Sequence, residues 1–341
     1  MRNVLVVRLD SVGDVLLAGP AVRAVAAGRD GEPSSVSLLC GPQGAPAGRC
    51  LPGVRQVLVW SCPWISDPAP PVTQESVAEL DALLERSGAD EAVILTSFHQ
   101  SPLPLALLLR LHGFRRIVGA SVDFAGQLLD VRLRPGEDFP EDQPEAERAL
   151  TIARAAGYEL STGDSGALAV RPGPDMSRLT GDRPYVVVHP GAAVPSRAWP
   201  AENAGETVQL LSDSGLRVLV TGGPGERDLT ARVAGSGGED LGGRTDLAEL
   251  STVLRGASVT ITGNTGPAHL SAAVGTPVVS LFSPVVPAVR WAPYAVPVEL
   301  LGDQHAPCRD TRARTCPVPG HPCLSSITPE EVARACFRLI A

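Results

Sequence analysis

The chain predicts an α/β protein of two doubly wound domains joined by one linker. Three observations carry this. Short β-branched runs alternate with helical stretches in both halves of the 341 residues. The strand ends carry Gly-rich polar turns, the place where parallel sheets bind ligands. Residues 173–184 are rich in Pro, Gly and Asp and poor in apolar side chains, the composition of a linker. The first domain is therefore expected over 1–172 and the second over 185–327, with a last helix over 328–341.

Residues 4–7 read as a strand, followed by a polar turn holding Asp10, Ser11, Gly13 and Asp14, then a helix to about residue 27. Two carboxylates at the start of a helix are common as caps and dipole partners. Asp14 follows Gly13 at a sharp bend, which makes a chemical role worth testing. Residues 36–39 and 57–60 read as strands separated by a Gly/Pro loop, and 60–71 as irregular. A helix over 77–87 and a strand over 91–96 lead to His99, again at a strand end. An apolar helix over 103–111 follows, then a short edge strand from Arg115 and a helix over 145–156.

Beyond the linker, 185–189 is a strand and 190–200 a loop. Residues 201–214 form a helix, and 216–221 a strand that runs into Gly222-Gly223-Pro224. A helix over 246–255 precedes the most regular stretch, 258–284. There 259–262 is a strand, Pro267 suits a helix first turn, Gly275 closes that helix, and 278–282 is a second strand. Asn264, Thr265, Gly266 and His269 gather where the first strand hands over to the helix. A helix N-terminus offers unpaired N–H groups and about half a positive charge, which suits a phosphate.

Composition narrows the function. The chain is 44% apolar, enough for real cores, and its net charge of −8 argues against nucleic acid. All basic residues are Arg, so Schiff-base and Lys general-base chemistry are excluded and Arg must make any anion contact. The acid excess lies mostly before residue 180, which favours the second half as host for an anion. No run reaches the roughly 18 apolar residues of a membrane span. The start lacks the pattern of a signal peptide, and a cytoplasmic location is expected. Seven scattered Cys imply free thiols. Cys308, Cys316 and Cys323, with His305 and His321, lack the close pairs of structural zinc sites, and a loop of buried or occasionally disulfide-linked thiols is expected in preference to zinc. No Walker loop or G-x-G-x-x-G fingerprint is present.

In combination the motifs resemble glycosyltransferase family 9, the group of the bacterial heptosyltransferases. They are Arg8-Leu9-Asp10-Ser11-Val12-Gly13-Asp14-Val15; His189-Pro190-Gly191-Ala192 with Ser196-Arg197-Ala198-Trp199-Pro200; Gly222-Gly223-Pro224 with Glu226; Asn264-Thr265-Gly266-Pro267-Ala268-His269-Leu270; and Thr328-Pro329-Glu330-Glu331-Val332. The resemblance implies a GT-B fold, two Rossmann-like domains facing a central cleft, with the last helix crossing back to the first. It implies an inverting, metal-independent transfer, without cofactor, of heptose or a related sugar. The donor is an ADP-heptose-like nucleoside diphosphate sugar, and the acceptor a cell-envelope glycan or lipid-linked sugar.

Carried over residue by residue, Asp14 is the general base and Arg197, where the family usually has Lys, holds the diphosphate. Gly191, Ser196, Gly223, Glu226, Asn264, Thr265, Gly266 and His269 line the donor site, with Glu226 on the ribose. Asp10, Ser11, Gly13 and His99 are acceptor-side candidates, and no metal ligands are implied. Asn264 departs from the Asp common in the family. Three other readings are a catalytically silent nucleotide-sugar binder, a sugar-nucleotide epimerase of the same fold, and peripheral membrane contact through 103–111 with Arg110, Arg115 and Arg116.

Overall fold

The computed structural model describes residues 2–66 and 68–341. It divides into two compact units, Met1–Arg171 and Pro172–Ala341. The first holds β1 (Arg2–Arg8), β2 (Ser34–Cys40), β3 (Val54–Val59), β4 (Glu91–Ile94), β5 (Arg116–Ala120) and β6 (Val131–Leu133). They form one sheet in the order β3-β2-β1-β4-β5-β6, every pairing parallel. Val4 to Val7 at its centre are buried on both faces, as an all-parallel sheet requires. One core packs Leu5, Val7 and Leu39 against Leu80 and Leu84 of the helix Gln74–Ser87 and Leu105 and Leu109 of the helix Leu103–His112.

The second unit repeats the plan. It contains β7 (Tyr185–His189), β8 (Arg217–Val220), β9 (Glu239–Asp240), β10 (Thr260–Gly263), β11 (Val278–Leu281) and β12 (Val298–Leu301), ordered β12-β11-β10-β7-β8-β9 and again parallel. Counted from its own first strand, its order is that of the first sheet.

The structure departs from the sequence reading in several places. The first helix is two, Val12–Leu17 and Gly19–Ala27, because Pro20 lacks the N–H that would continue the ladder. The Gly/Pro loop before β3 contains the helix Ala45–Cys50, and Arg227–Ala234 forms a helix after the Gly-Gly turn. The strand after Arg115 is not an edge, since the short β6 pairs outside it. The linker contains the short helix Ser177–Thr180. The last helix, Pro329–Ile340, was expected on the first unit. Its buried residues Val332, Ala333, Ala335 and Cys336 instead join the core of the second, where the helix packs against Ala201–Asp213, β11 and β12. No helix among the described residues is long and apolar enough to cross a membrane.

Candidate functional site

In each sheet the chain reverses its direction of travel once, between β1 and β4 and between β7 and β10. Beyond the carboxyl ends of such a pair the connections diverge and leave a crevice. Most of the sequence-predicted residues fall at these two points, and Gly223 and Glu226 follow the neighbouring β8. Residues 8–14 follow β1 and 97–100 follow β4; 189–197 follow β7 and 263–269 follow β10.

In the first unit the centre is Arg8, the last residue of β1, whose side chain is only 2% exposed. Each guanidinium nitrogen faces a different carboxylate. Nε lies 2.8 Å from Asp10 Oδ2, Nη1 3.2 Å from Glu145 Oε2 and Nη2 3.0 Å from Asp14 Oδ1. Nη2 also donates to Ser97 Oγ at 2.7 Å, and Gln100 donates to Asp10 Oδ1. Burial works against the charge of Arg8, but the three carboxylates outweigh it and bind its proton more firmly than usual. Asp10 is pushed up to about 6, chiefly by burial, with Arg8 pulling down and Asp14 pushing further up. Burial also raises Glu145, against the pull of Arg8 and Arg148.

Asp14 sits in the first turn of Val12–Leu17. Its second oxygen, Oδ2, accepts from Ser11 Oγ at 2.8 Å and Ser11 N–H at 3.3 Å, the contact of a helix-capping acid. The same side chain is 19% exposed and borders a cavity of about 360 Å³ with Asp10 and Ser11. Capping and a chemical role therefore coexist at Asp14. Gly13 is buried beneath it in the helix turn. His99 stands exposed beside Phe98 and does not border this cavity, so the structure does not gather it with the carboxylates. The sequence reading left Arg8, Glu145, Ser97 and Gln100 out of the candidate residues.

The Asp10 proton has a consequence for stability. The folded protein holds it more tightly than the unfolded chain, whose aspartates titrate near about 4. The neutral carboxyl thus stabilises the fold below that pH, and the contribution is lost as pH rises through about 6. Asp10→Asn, always neutral, is expected to melt with a weaker pH dependence across this window. Scanning fluorimetry at stepped pH measures it, and unchanged slopes would mean that Asp10 is ionised throughout.

In the second unit, β7 ends in His189, whose Nδ1 lies 3.0 Å from Thr221 Oγ1 and whose Nε2 lies 3.9 Å from Glu226 Oε2. Burial holds this imidazole below its ordinary value, with Glu226 pulling the other way. Glu226 accepts from Gly223 N–H at 2.7 Å. Its carboxylate lies over Gly191, where any Cβ would collide with it. These two glycines and Glu226 form one unit at the ends of β7 and β8.

Ser196 was expected at the donor, but all its polar groups are committed elsewhere. Its hydroxyl donates to Ala313 carbonyl, its N–H to Arg314 carbonyl at 3.0 Å, and its own carbonyl meets His321 Nε2 at 3.1 Å. Ser196 thus fastens the loop 190–200 to the segment 313–321. Arg197 follows it on the turn Pro195–Arg197, with its carbonyl packed against Gly263 at the end of β10. Thr265 is the N-cap of the helix Gly266–Ala273, and His269 is buried one turn in.

Asn264 is 4% exposed, and its amide bridges β10 to the end of β11. Nδ2 donates to Ser283 carbonyl and Oδ1 accepts from Ser283 N–H, both at 3.4 Å. An aspartate keeps only the accepting half and sets its charge against that carbonyl. Asn264→Asp is therefore expected to cost about 1–3 kcal/mol of stability, read from urea unfolding. A variant as stable as the parent would show that the bridge carries no weight.

All seven Cys are free thiols. The Cys308 thiol contacts those of Cys316 and Cys323, and burial raises Cys308 and Cys323, the latter to about 11. Among the described residues no group of three or more His, Cys, Asp or Glu is disposed to hold a metal ion.

Comparison with known proteins gives a consistent result. The family described as glycosyltransferase family 9 (heptosyltransferase) matches residues 103–321, a stretch that includes the second-unit motifs through Asn264 and leaves out residues 8–14. Lipopolysaccharide heptosyltransferase 1 of Pseudomonas aeruginosa is 30% identical over 227 residues, 64% of this chain and 61% of that protein. The chain spans between 28% and 61% of the length of the curated relatives it matches. A glycosyl transferase family 9 structure from Veillonella parvula superposes with a TM-score of 0.77 at 17% identity, covering 99% of this chain and 97% of the other. The E. coli heptosyltransferase WaaC with ADP-2-deoxy-2-fluoro heptose gives 0.68 at 21% identity, covering 98% of each. At these identities the structures establish a shared GT-B fold. With well over half its length matched by the family, the chain belongs to glycosyltransferase family 9.

Proposed function

We propose that this protein is an inverting glycosyltransferase that moves a sugar from a nucleoside diphosphate to a hydroxyl of a cell-envelope glycan, without a metal ion. The observation that carries the reading is Asp14. It is a carboxylate at the binding edge of the first sheet, fixed through Oδ1 by Arg8 and bordering a cavity large enough for a sugar ring. In the proposed reaction Asp14 takes the proton of the acceptor hydroxyl. That oxygen bonds to the anomeric carbon from the face opposite the diphosphate. The bond from carbon to diphosphate oxygen breaks, and the nucleoside diphosphate leaves with the electron pair.

The growing charge on the leaving group falls to Arg197, to the Thr265 hydroxyl, to the Gly266 N–H at the start of Gly266–Ala273, and to buried His269, while the Thr265 N–H is held by the Gly263 carbonyl. Fixed donors aimed at developing charge need no reorganisation during the step. Glu226, beside Gly191 and Gly223, accepts from the ribose hydroxyls. Ser196 holds the Arg197 loop in place, and Asn264 holds the ends of β10 and β11.

ADP-heptose, whose fluorinated analogue accompanies the E. coli relative, is the first donor to test. A ligand present at a hundredfold excess over its Kd raises stability by about 2.7 kcal/mol. ADP and ADP-heptose are expected to raise the melting temperature, with other nucleoside diphosphates as controls. Arg197→Ala removes a charge-assisted contact and should weaken ADP roughly tenfold to a hundredfold. No shift with any nucleotide, or equal affinity in the variant, would remove the donor site from this edge.

A further inference from the structure

Among the described residues, no basic group lines the cavity beside Asp14. The loops 9–11, 41–44, 60–73, 95–102 and 121–130, which follow β1 to β5 at the binding edge, contain no Arg. The chain has no Lys at all. The one histidine in these loops, His99, does not border the cavity. Arg8 lies beneath Asp10 and Asp14, and its three nitrogens already face Asp10, Asp14 and Glu145. Among the described residues the cavity presents two carboxylates with the polar, uncharged side chains of Ser11, Gln43, Ser61 and Ser66.

An anionic ligand placed here would meet carboxylates and no cation. A neutral polyol would meet acceptors and hydroxyls suited to its own hydroxyl groups. The neighbouring wall is apolar. Ile65 borders this cavity and a smaller adjacent one that Trp64 also lines. Trp64 is half-buried and held by an edge-on contact with Trp60, ring centroids 5.5 Å apart. Ile65, with that indole next to it, gives the cavity an apolar side, which suits a sugar ring with its apolar face and polar rim.

We infer that the acceptor ring bound beside Asp14 is an uncharged sugar, with no carboxylate or phosphate near the reacting hydroxyl. The inference rests on the transferase reading and narrows its acceptor. Selection here works partly by exclusion, since like charge brought against Asp10 and Asp14 is repelled.

The test uses the full chain and a matched pair of probes, methyl glucoside and methyl glucuronoside, followed by saturation-transfer NMR. The rings differ in one carboxylate. The neutral glycoside is expected to receive saturation, and the acidic one to bind about tenfold or more weakly, given roughly fivefold for one like-charge contact at 4 Å even in water. Gln43→Arg places a cation on an exposed part of the rim and should raise the acidic probe's affinity above its wild-type value. Binding of the acidic probe as tight as or tighter than the neutral one in the wild type would overturn the inference. So would saturation of neither ring. Nucleotide binding and donor turnover test the transferase reading separately, so a protein that uses ADP-heptose yet prefers the acidic glycoside would sink the acceptor assignment alone.

Discussion

Replacing Asp14 with Asn should reduce sugar transfer by roughly 10²–10⁴-fold, the usual contribution of a positioned general base. Asn keeps the size of the side chain. Its one oxygen can still accept from Arg8 Nη2, now 3.0 Å from Oδ1, while the amide nitrogen that replaces Oδ2 donates to Ser11 Oγ and no longer accepts from Ser11 N–H. The fold is thus expected to survive with a slightly weakened helix start, while the ability to take a proton is lost. Donor affinity should be nearly unchanged, because the residues proposed for the donor belong to the second unit. Steady-state rates with ADP-heptose and melting shifts with ADP separate the two effects. A variant with wild-type turnover would reassign the base, and Asp10 would be next to examine. A variant that lost ADP binding as well would show that Asp14 acts on the donor.

Arg8→Met should have the largest effect on stability, about 3–5 kcal/mol, because it leaves buried carboxylates without their cation. Asp10, Asp14 and Glu145 all face this one guanidinium, and Glu145 is 1% exposed. Methionine fills much of the volume, so the loss reports charge more than packing. The carboxyls can escape repulsion by taking up protons, so the variant should be less impaired at mildly acid pH than at mildly alkaline pH. Urea unfolding at both conditions measures this. A loss below about 1 kcal/mol, or one independent of pH, would show that the cluster is not held by charge.

Much of this arrangement is readable along the chain because it is local. The run from Thr260 to Leu281 has strand, turn, capped helix and strand in sequence, and the structure follows it closely. The span from Arg8 to Asp14 is equally local. Glu145 is not: it reads as an ordinary first-turn acid, and only the tertiary fold brings it under Arg8 from 137 residues away. The helix Arg227–Ala234 is only eight residues long and follows a Gly-rich turn, which hides its period. β6 is three residues long, too short to alternate visibly. The periodicity of Pro329–Ile340 predicts that one face is buried, but nothing in the pattern says against which unit. Ser196 and Asn264 lie inside recognisable motifs, yet their side chains serve carbonyls and amides contributed by segments far along the chain.

The Glu226 carboxylate occupies the space that a side chain at Gly191 would need. The two positions are therefore not genetically independent. Gly191→Ala would displace Glu226 from the Gly223 amide without altering Glu226 itself, and would mimic its loss. Once Glu226 is shortened to Ala, the obstacle is gone and alanine at 191 costs little more. The two substitutions should be strongly non-additive, the double variant behaving much like either single one. A lineage could therefore change position 191 at little further cost only after position 226 had changed.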